Sequence, residues 1–327
     1  MNKYIIQKET LTGIADAIRA KTGDTAKMPP TEMPALIDEL ETKAEFVQTD
    51  LTSINTVRCA VCYGNGMFVV INASGAYYST DGINWTQTSM PVAQLWSNAC
   101  YGNGVFIVTG GKNTMHSTDG INWVEDNTGF WSEVALCYGE GEFLAGFCQS
   151  YAVMSYSTDG IDWVGVSPIV AYHTALCYGG GKYVGFGTGT PGGSLGIAEY
   201  STDGINWTGT TLPLSQSWSA ACYGKGTFVA LATNSQYGVF SMDGINWTQM
   251  EMPSSQEWHR VCYGNGMFVA IAQNTDAAAY SMDGINWTAF TMPSSGLWLD
   301  LCYGDGKFVA AGQNMPVVVC DVRKSIA

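Results

Sequence analysis

Charge is scarce in this chain, and positive charge scarcest. Only 13% of its 327 residues are charged, with 14 Lys plus Arg against 28 Asp plus Glu, for a formal net charge of −14. Such a surface repels phosphate backbones and anionic headgroups, so nucleic acid and anionic membranes are excluded as partners. No apolar run is long enough to cross a bilayer, so membrane insertion is not expected. The opening Met-Asn-Lys-Tyr-Ile-Ile-Gln-Lys-Glu lacks the apolar core of a signal peptide, which predicts synthesis in a cytoplasm. Cys-x-x-Cys is missing and the three His are scattered, leaving no metal site and no implied cofactor. P-loop, nucleophile-elbow and HExxH motifs are absent as well. A glycosidase needs two carboxylates set across a sugar. Glu125, Glu133, Glu199, Glu251, Glu257 and Asp300 form no repeated constellation of that kind.

What is present is repetition. Cys-Tyr-Gly-x-Gly-x-(Phe/Tyr) begins at Cys62, Cys100, Cys137, Cys177, Cys222, Cys262 and Cys302, with spacings of 38, 37, 40, 45, 40 and 40 residues. Between the copies lies Asp-Gly-Ile-(Asn/Asp)-Trp, beginning at Asp81, Asp119, Asp159, Asp203, Asp243 and Asp283. A period near 40 with two glycine turns per unit predicts an all-β, seven-bladed β-propeller of four-stranded antiparallel blades. Seven of the 10 Cys share one repeat position, too far apart in successive blades to bridge, and read as small buried apolar groups. The Asn-Trp-Thr triplets at Asn84, Asn206, Asn246 and Asn286 read as turn chemistry, not glycan acceptors.

Residues 96–127 illustrate one unit. Trp96 to Cys100 suits the innermost strand, and Tyr101-Gly-Asn-Gly104 a tight turn whose glycines supply positive φ. Val105 to Thr109 suits a middle strand buried on both faces. Then come a variable stretch (Gly110 to Asn113), a third strand to Ser117, the Asp119 turn and an outer strand from Trp123. The turn aspartates are read as structural, each accepting backbone N–H groups, with the following Trp packed between blades.

Six Asp turns serve seven Cys-Tyr-Gly turns, so the last blade lacks an outer strand. Glu45-Phe-Val-Gln-Thr49 aligns with Asn84-Trp-Thr-Gln-Thr88, which predicts that residues 45–50 complete that blade and close the ring. The domains are then residues 1–43, a segment of short helices, and residues 44–327, the propeller. In the first, Thr10 caps a helix carrying Leu11, Ile14 and Ile18, and Thr31 starts a second with Leu36, Ile37 and Leu40.

Ser-x-Asp-Gly-x-x-Trp resembles the Asp-box of sialidase-type propellers, where it is a folding element remote from catalysis. Glu9-Thr-Leu-Thr-Gly-Ile-Ala-Asp-Ala-Ile-Arg-Ala-Lys-Thr-Gly23, with Met28-Pro-Pro and Met33-Pro-Ala-Leu-Ile37, resembles the N-terminal element of bacteriophage and prophage tail and fibre proteins of Gram-positive hosts. That resemblance implies a virion tail module. Residues 1–43 would attach to other tail or baseplate proteins, a homotrimer would follow tail symmetry, and the C-terminal domain would bind a host cell-surface glycan or protein. Sialidases clamp a carboxylate with three arginines in a strand motif that Arg58, Arg260 and Arg323 do not match, so an enzyme is not expected. A glycoside hydrolase and a propeller scaffold for protein assembly are the alternatives.

Both glycine turns emerge on one face of a propeller, and the second-to-third-strand loops with the blade crossings emerge on the other. Length variation is expected on that other face, in 146–151, 187–194 and 232–237. The innermost strands also begin there, at Trp96, Trp131, Tyr172, Trp218, Trp258 and Trp298, with Asn98, Glu133, His173, His259, Arg260 and Asp300 beside them. Two readings stay open for the aromatics: packing under the crossings, or platforms for a sugar or protein ligand.

Overall fold

The computed structural model describes residues 46–52, 54, 58–111, 113–126, 128, 134–148, 152–166, 172–188 and 195–322. The two helices expected before residue 44 and Trp131 lie outside these residues. The propeller is one compact unit, Ala44–Asp321.

Seven four-stranded antiparallel sheets are present, each built from strands consecutive in sequence except the last. Blades one to six span residues 59–88, 98–126, 134–166, 172–210, 218–256 and 258–296. Blade seven takes Trp298–Gly304, Lys307–Gly312 and Val318–Asp321, and receives Val47–Gln48 as its outer strand. Val47 pairs with Val319 and Gln48 with Val318. Thr49 extends the seam, its N–H and its hydroxyl both donating to the Val317 carbonyl at 3.0 Å. Asp50 then reaches blade one, donating its N–H to the Ile83 carbonyl and accepting the Trp85 N–H at 3.0 Å. The velcro strand expected from the alignment is in place. It covers the edge that Val318–Asp321 would otherwise leave unpaired.

Between blades the core repeats. Middle-strand phenylalanines Phe68, Phe106, Phe143, Phe228, Phe268 and Phe308 are fully buried. The seam between blades seven and one is packed like the others: Ile54, Val61 and Val70 share a cluster with Val309, Val317 and Val319. Trp247 of blade five wedges against Phe186 of blade four with ring centroids 4.9 Å apart, the inter-blade packing expected of the turn tryptophans.

The Asp turns are closed by their own side chains. Ser79 accepts the Gly82 N–H at 2.8 Å and donates to Asp81 Oδ1, which accepts the Ile83 and Asn84 N–H groups at 2.8 Å. Asn84 Nδ2 donates to Asp81 Oδ2, so every oxygen of the carboxylate is used locally. The same pattern recurs at Asp119, Asp203, Asp243 and Asp283, and without an amide at Asp159, where Asp162 replaces Asn. These six residues are turn scaffolding.

In the Tyr-Gly-x-Gly hairpins the two central residues are both left-handed, as at Asn65 (φ 48°) and Gly66 (φ 75°). That is a type I′ turn, whose twist matches the flanking strands. The positive φ expected of both glycines therefore belongs to only the second. The first glycine is needed for space: a Cβ on Gly102 would lie 2.2 Å from the ring of Tyr138 in the next blade.

Candidate functional site

Both kinds of glycine turn share one face, since Asn103 Nδ2 donates at 2.9 Å to carbonyls of Gly141 and Thr158, one in each turn of the next blade. On the opposite face the second-to-third-strand turns lie beside the starts of the innermost strands. There the N–H groups of Thr233, Gln273 and Gln313 donate to the carbonyls of Ser217, Glu257 and Leu297 at 2.9 Å. We call this the mouth face. One expectation about it needs correction: within 232–237 the chain turns tightly at Thr233 and Asn234 (φ 53°) and Ser235–Tyr237 already belong to the next strand, with Asn234 matched by Asn274 and Asn314 in blades six and seven. Asparagine tolerates the left-handed region, so the turn is regular. Gly146 and Gly187 lie inside strands, and residues 149–151 and 189–194 fall outside the described residues.

Along the axis the mouth opens into a cavity of about 450 Å3, bordered by Arg58, Ser97, Asn98, His259, Arg260 and Gln273 among others. It continues into a deeper chamber of about 310 Å3 bordered by Asp300 and by Cys62, Cys262 and Cys302. Asn98, Ala135, Thr174, Ser219 and Arg260 border both, so the two are levels of one channel. Burial pushes the channel thiols up, to about 12 for Cys262, with Asp300 adding to the rise, which leaves them protonated and unreactive.

The tight positioning at the mouth comes from β-bulges. Strand pairing slips by one residue at Thr174, Ser219, His259 and Leu299, in four consecutive blades. A bulge leaves its extra residue off the ladder and re-aims its side chain. Thr174 Oγ1 uses that freedom to donate to the Trp218 carbonyl of blade five at 2.6 Å, and Ser219 Oγ to the Trp258 carbonyl of blade six at 2.5 Å. His259 hydrogen-bonds the Leu299 backbone of blade seven. Burial, and secondarily Arg260, push its imidazole down to about 2, so it is neutral at physiological pH.

Below His259, Arg260 Nε donates to Asp300 Oδ1 at 2.9 Å, and Arg260 Nη1 donates to the His259 carbonyl at 3.1 Å. Asp300 Oδ2 accepts the Val61 N–H of blade one at 2.7 Å. Blades six, seven and one are thus linked through one carboxylate. Burial raises the Asp300 carboxyl, and Arg260 with the Val61 and Leu301 N–H groups opposes that rise.

Of the residues marked from the repeats, Asn98, His259, Arg260 and Asp300 converge on the channel. Trp218 and His173 border the upper cavity as well, while Trp96, Trp258 and Trp298 do not. Trp96, Trp218, Trp258 and Trp298 are 0–2% exposed and pack beneath the crossings, so their rings offer no open platform. Each sits four residues before its cysteine, and Trp96, Trp218 and Trp258 join core clusters shared by neighbouring blades. Tyr172 is not their counterpart. Four residues before Cys177 stands His173, 1% exposed, with Nε2 3.2 Å from Glu199 Oε2. Space for this pair is made by Gly185, where a Cβ would lie 2.3 Å from the His173 ring, while blade five has Ala230 there and Val239 opposite it. The signal was a glycine in the middle of a strand pattern, which marks a close approach.

No protein-family model matches the chain, and no characterised protein sequence matches it. Solved structures do resemble it in shape. Virginiamycin B lyase from Staphylococcus aureus has a TM-score of 0.70 at 10% identity, covering 84% of this chain and 99% of that one. YCF48 from Cyanidioschyzon merolae has 0.63 at 13% identity, over 86% and 99%. The Pan2 WD40 domain of Neurospora crassa has 0.62 at 9%, over 86% and 96%. At such identities the likeness establishes the propeller fold and nothing about chemistry.

Proposed function

We propose that this chain is a non-enzymatic recognition module of a bacteriophage or phage-derived tail, which binds a host cell-surface carbohydrate through its mouth face. The observation that carries the reading is a gradient along the innermost strands. Two residues before each cysteine the blades carry Ala60, Asn98, Ala135, Ala175, Ala220, Arg260 and Asp300; from the cysteine onward all seven read Cys-Tyr-Gly. A frame that is uniform at one end and sets Asn98, Arg260 and Asp300 among four alanines at the other suits binding, because the scaffold holds differing polar side chains around one cavity. The resemblance of residues 1–43 to tail proteins supports the attachment role, with trimeric assembly and baseplate partners following from it. Binding is favoured over glycoside hydrolysis because Asp300, the one carboxylate bordering the channel among the described residues, is already engaged by Arg260 and Val61. The remaining alternative is a scaffold for protein assembly.

The test is adsorption of the full chain to a panel of Gram-positive cells before and after enzymatic removal of their surface glycans. Glycan-dependent adsorption that is lost on Asn98→Trp, which fills the channel, supports the reading. Adsorption to no cell of the panel, or adsorption insensitive to that substitution, rejects it.

A further inference from the structure

We infer that Asn65 and Asn265 are sites of spontaneous deamidation to aspartate and isoaspartate, and that Asn103, in the same local sequence, is protected from it. The inference does not depend on the recognition reading above. Asn-Gly occurs three times in the chain, each time inside Tyr-Gly-Asn-Gly, at Asn65, Asn103 and Asn265. In the reaction the glycine nitrogen loses its proton and attacks Cγ of the preceding asparagine, so that a C–N bond forms and ammonia leaves. Water then opens the resulting succinimide at either carbonyl, giving aspartate or isoaspartate. A side chain on the following residue slows the attack, and glycine has none. Asn234, Asn274 and Asn314 share the left-handed conformation but precede Ser235, Thr275 and Met315.

The three turns are alike in backbone and exposure. The asparagines have φ of 48°, 47° and 49°, Gly66, Gly104 and Gly266 have 75°, 79° and 80°, and all three asparagines are exposed. Open space surrounds each of these glycines, where a Cβ would meet nothing within 4 Å. They differ in what holds the asparagine. Asn103 Nδ2 donates to the Gly141 and Thr158 carbonyls, and Asn103 Oδ1 accepts the Tyr138 hydroxyl at 2.7 Å, which ties both ends of the amide to blade three. Among the described residues the side chains of Asn65 and Asn265 make no such bond. For Asn265 the cause is visible. Blade three offers the Thr158 carbonyl from its Asp turn, and blade six offers that of Met282, which Lys225 Nζ takes at 3.1 Å. Blade seven has no Asp turn to offer one.

Cyclisation bends the main chain out of the type I′ turn, so it proceeds through local opening of the hairpin. At Asn103 that opening also breaks three hydrogen bonds to the next blade. The consequence falls on ring closure. Asn65 follows Tyr63, whose ring packs on Gly304 of blade seven, and Asn265 follows Gly264, on which Tyr303 of blade seven packs. The two reactive turns therefore bracket the blade that closes the ring. Isoaspartate adds a methylene to the main chain of a two-residue turn, which displaces the Tyr-Gly pair beside it.

Ageing the full chain at mildly alkaline pH, followed by peptide mapping and labelling with an isoaspartyl methyltransferase, tests the assignment. Deamidation at Asn65 and Asn265 should run at least about tenfold faster than at Asn103. In urea the three sites should react at similar rates, because their local sequences match. Asn65→Gly combined with Asn265→Gly keeps the turns, as Gly180 and Gly181 do in blade four. That variant should hold its melting temperature through ageing while the parent's falls. Equal rates at the three sites in the folded chain, no reaction at Asn65 or Asn265, or the folded ranking persisting in urea would each overturn the assignment. An aged parent that melts like the variant would overturn the link to ring closure.

Discussion

The face of the Tyr63 ring lies against Gly304, so closely that a Cβ on that glycine would stand 2.0 Å from Tyr63 Cγ. The contact joins the last blade to the first. It repeats at every blade boundary: Tyr101 covers Gly64, Tyr223 covers Gly179, and Tyr303 covers Gly264. The Tyr-Gly dipeptide is thus a lock shared by two blades, with each tyrosine seated on the glycine of its predecessor.

Gly304→Ala should therefore destabilise the fold by about 1–3 kcal/mol, the usual cost of overpacking. In a Tyr63→Ala background most of that cost should vanish, because the clashing ring is gone. Urea denaturation of the two single variants and the double variant reads the coupling directly. Additive losses would mean that the glycine is required for another reason.

Blade four offers a concerted exchange. Removing one member of the buried His173–Glu199 pair, as in Glu199→Val, should cost about 1–3 kcal/mol, the penalty for a buried polar group left without its neighbour. The triple variant His173→Trp, Gly185→Ala, Glu199→Val installs the residues that blade five carries at Trp218, Ala230 and Val239. It should recover the parent stability or exceed it. A triple variant no more stable than Glu199→Val would show that the pair is not interchangeable with the apolar arrangement.

The Asp turns predict a response to acid. The Asn122 N–H, its side-chain amide and the Ile121 N–H hold the Asp119 carboxyl down to about 2, below the ordinary value near 3.9. A group depressed in the folded state stabilises fully above its unfolded value and loses that contribution as pH falls through the folded one. Asp119→Asn should accordingly melt below the parent at pH 7, with the gap closing between about pH 4 and pH 2. Melting curves followed by circular dichroism at both ends of the window decide this; a constant gap would assign the loss to shape instead of charge.

Glu140 sits at φ 48° in a type I′ turn, a conformation that suits asparagine better. Its carboxylate accepts the Tyr178 hydroxyl, just as Asn103 accepts that of Tyr138 one blade earlier. Glu140→Asn should keep the hydroxyl contact and gain about 0.5–1 kcal/mol from relieved backbone strain. A lower melting temperature in the variant would show that the carboxylate contributes more than the turn costs.

Blade number, strand order and the closing role of residues 45–50 could be read from the chain because they depend on local periodicity. Two glycine turns in each stretch of about 40 residues leave one way to bury the alternating strands. The convergence of Asn98, Arg260 and Asp300 was legible for the same reason, since each stands two residues before its cysteine; His259 stands three before and sits on a bulge. The direction of the tryptophans was not. Whether a ring four residues before the cysteine faces solvent or the neighbouring blade depends on the bulges and on the crossing segments above it, which no repeat encodes. The first glycine of Tyr-Gly was misread too, because the ring it accommodates comes from a blade about 40 residues away. Sequence alone determined what recurs within a blade; the tertiary structure decided what happens between blades, where side chains from distant repeats compete for the same space.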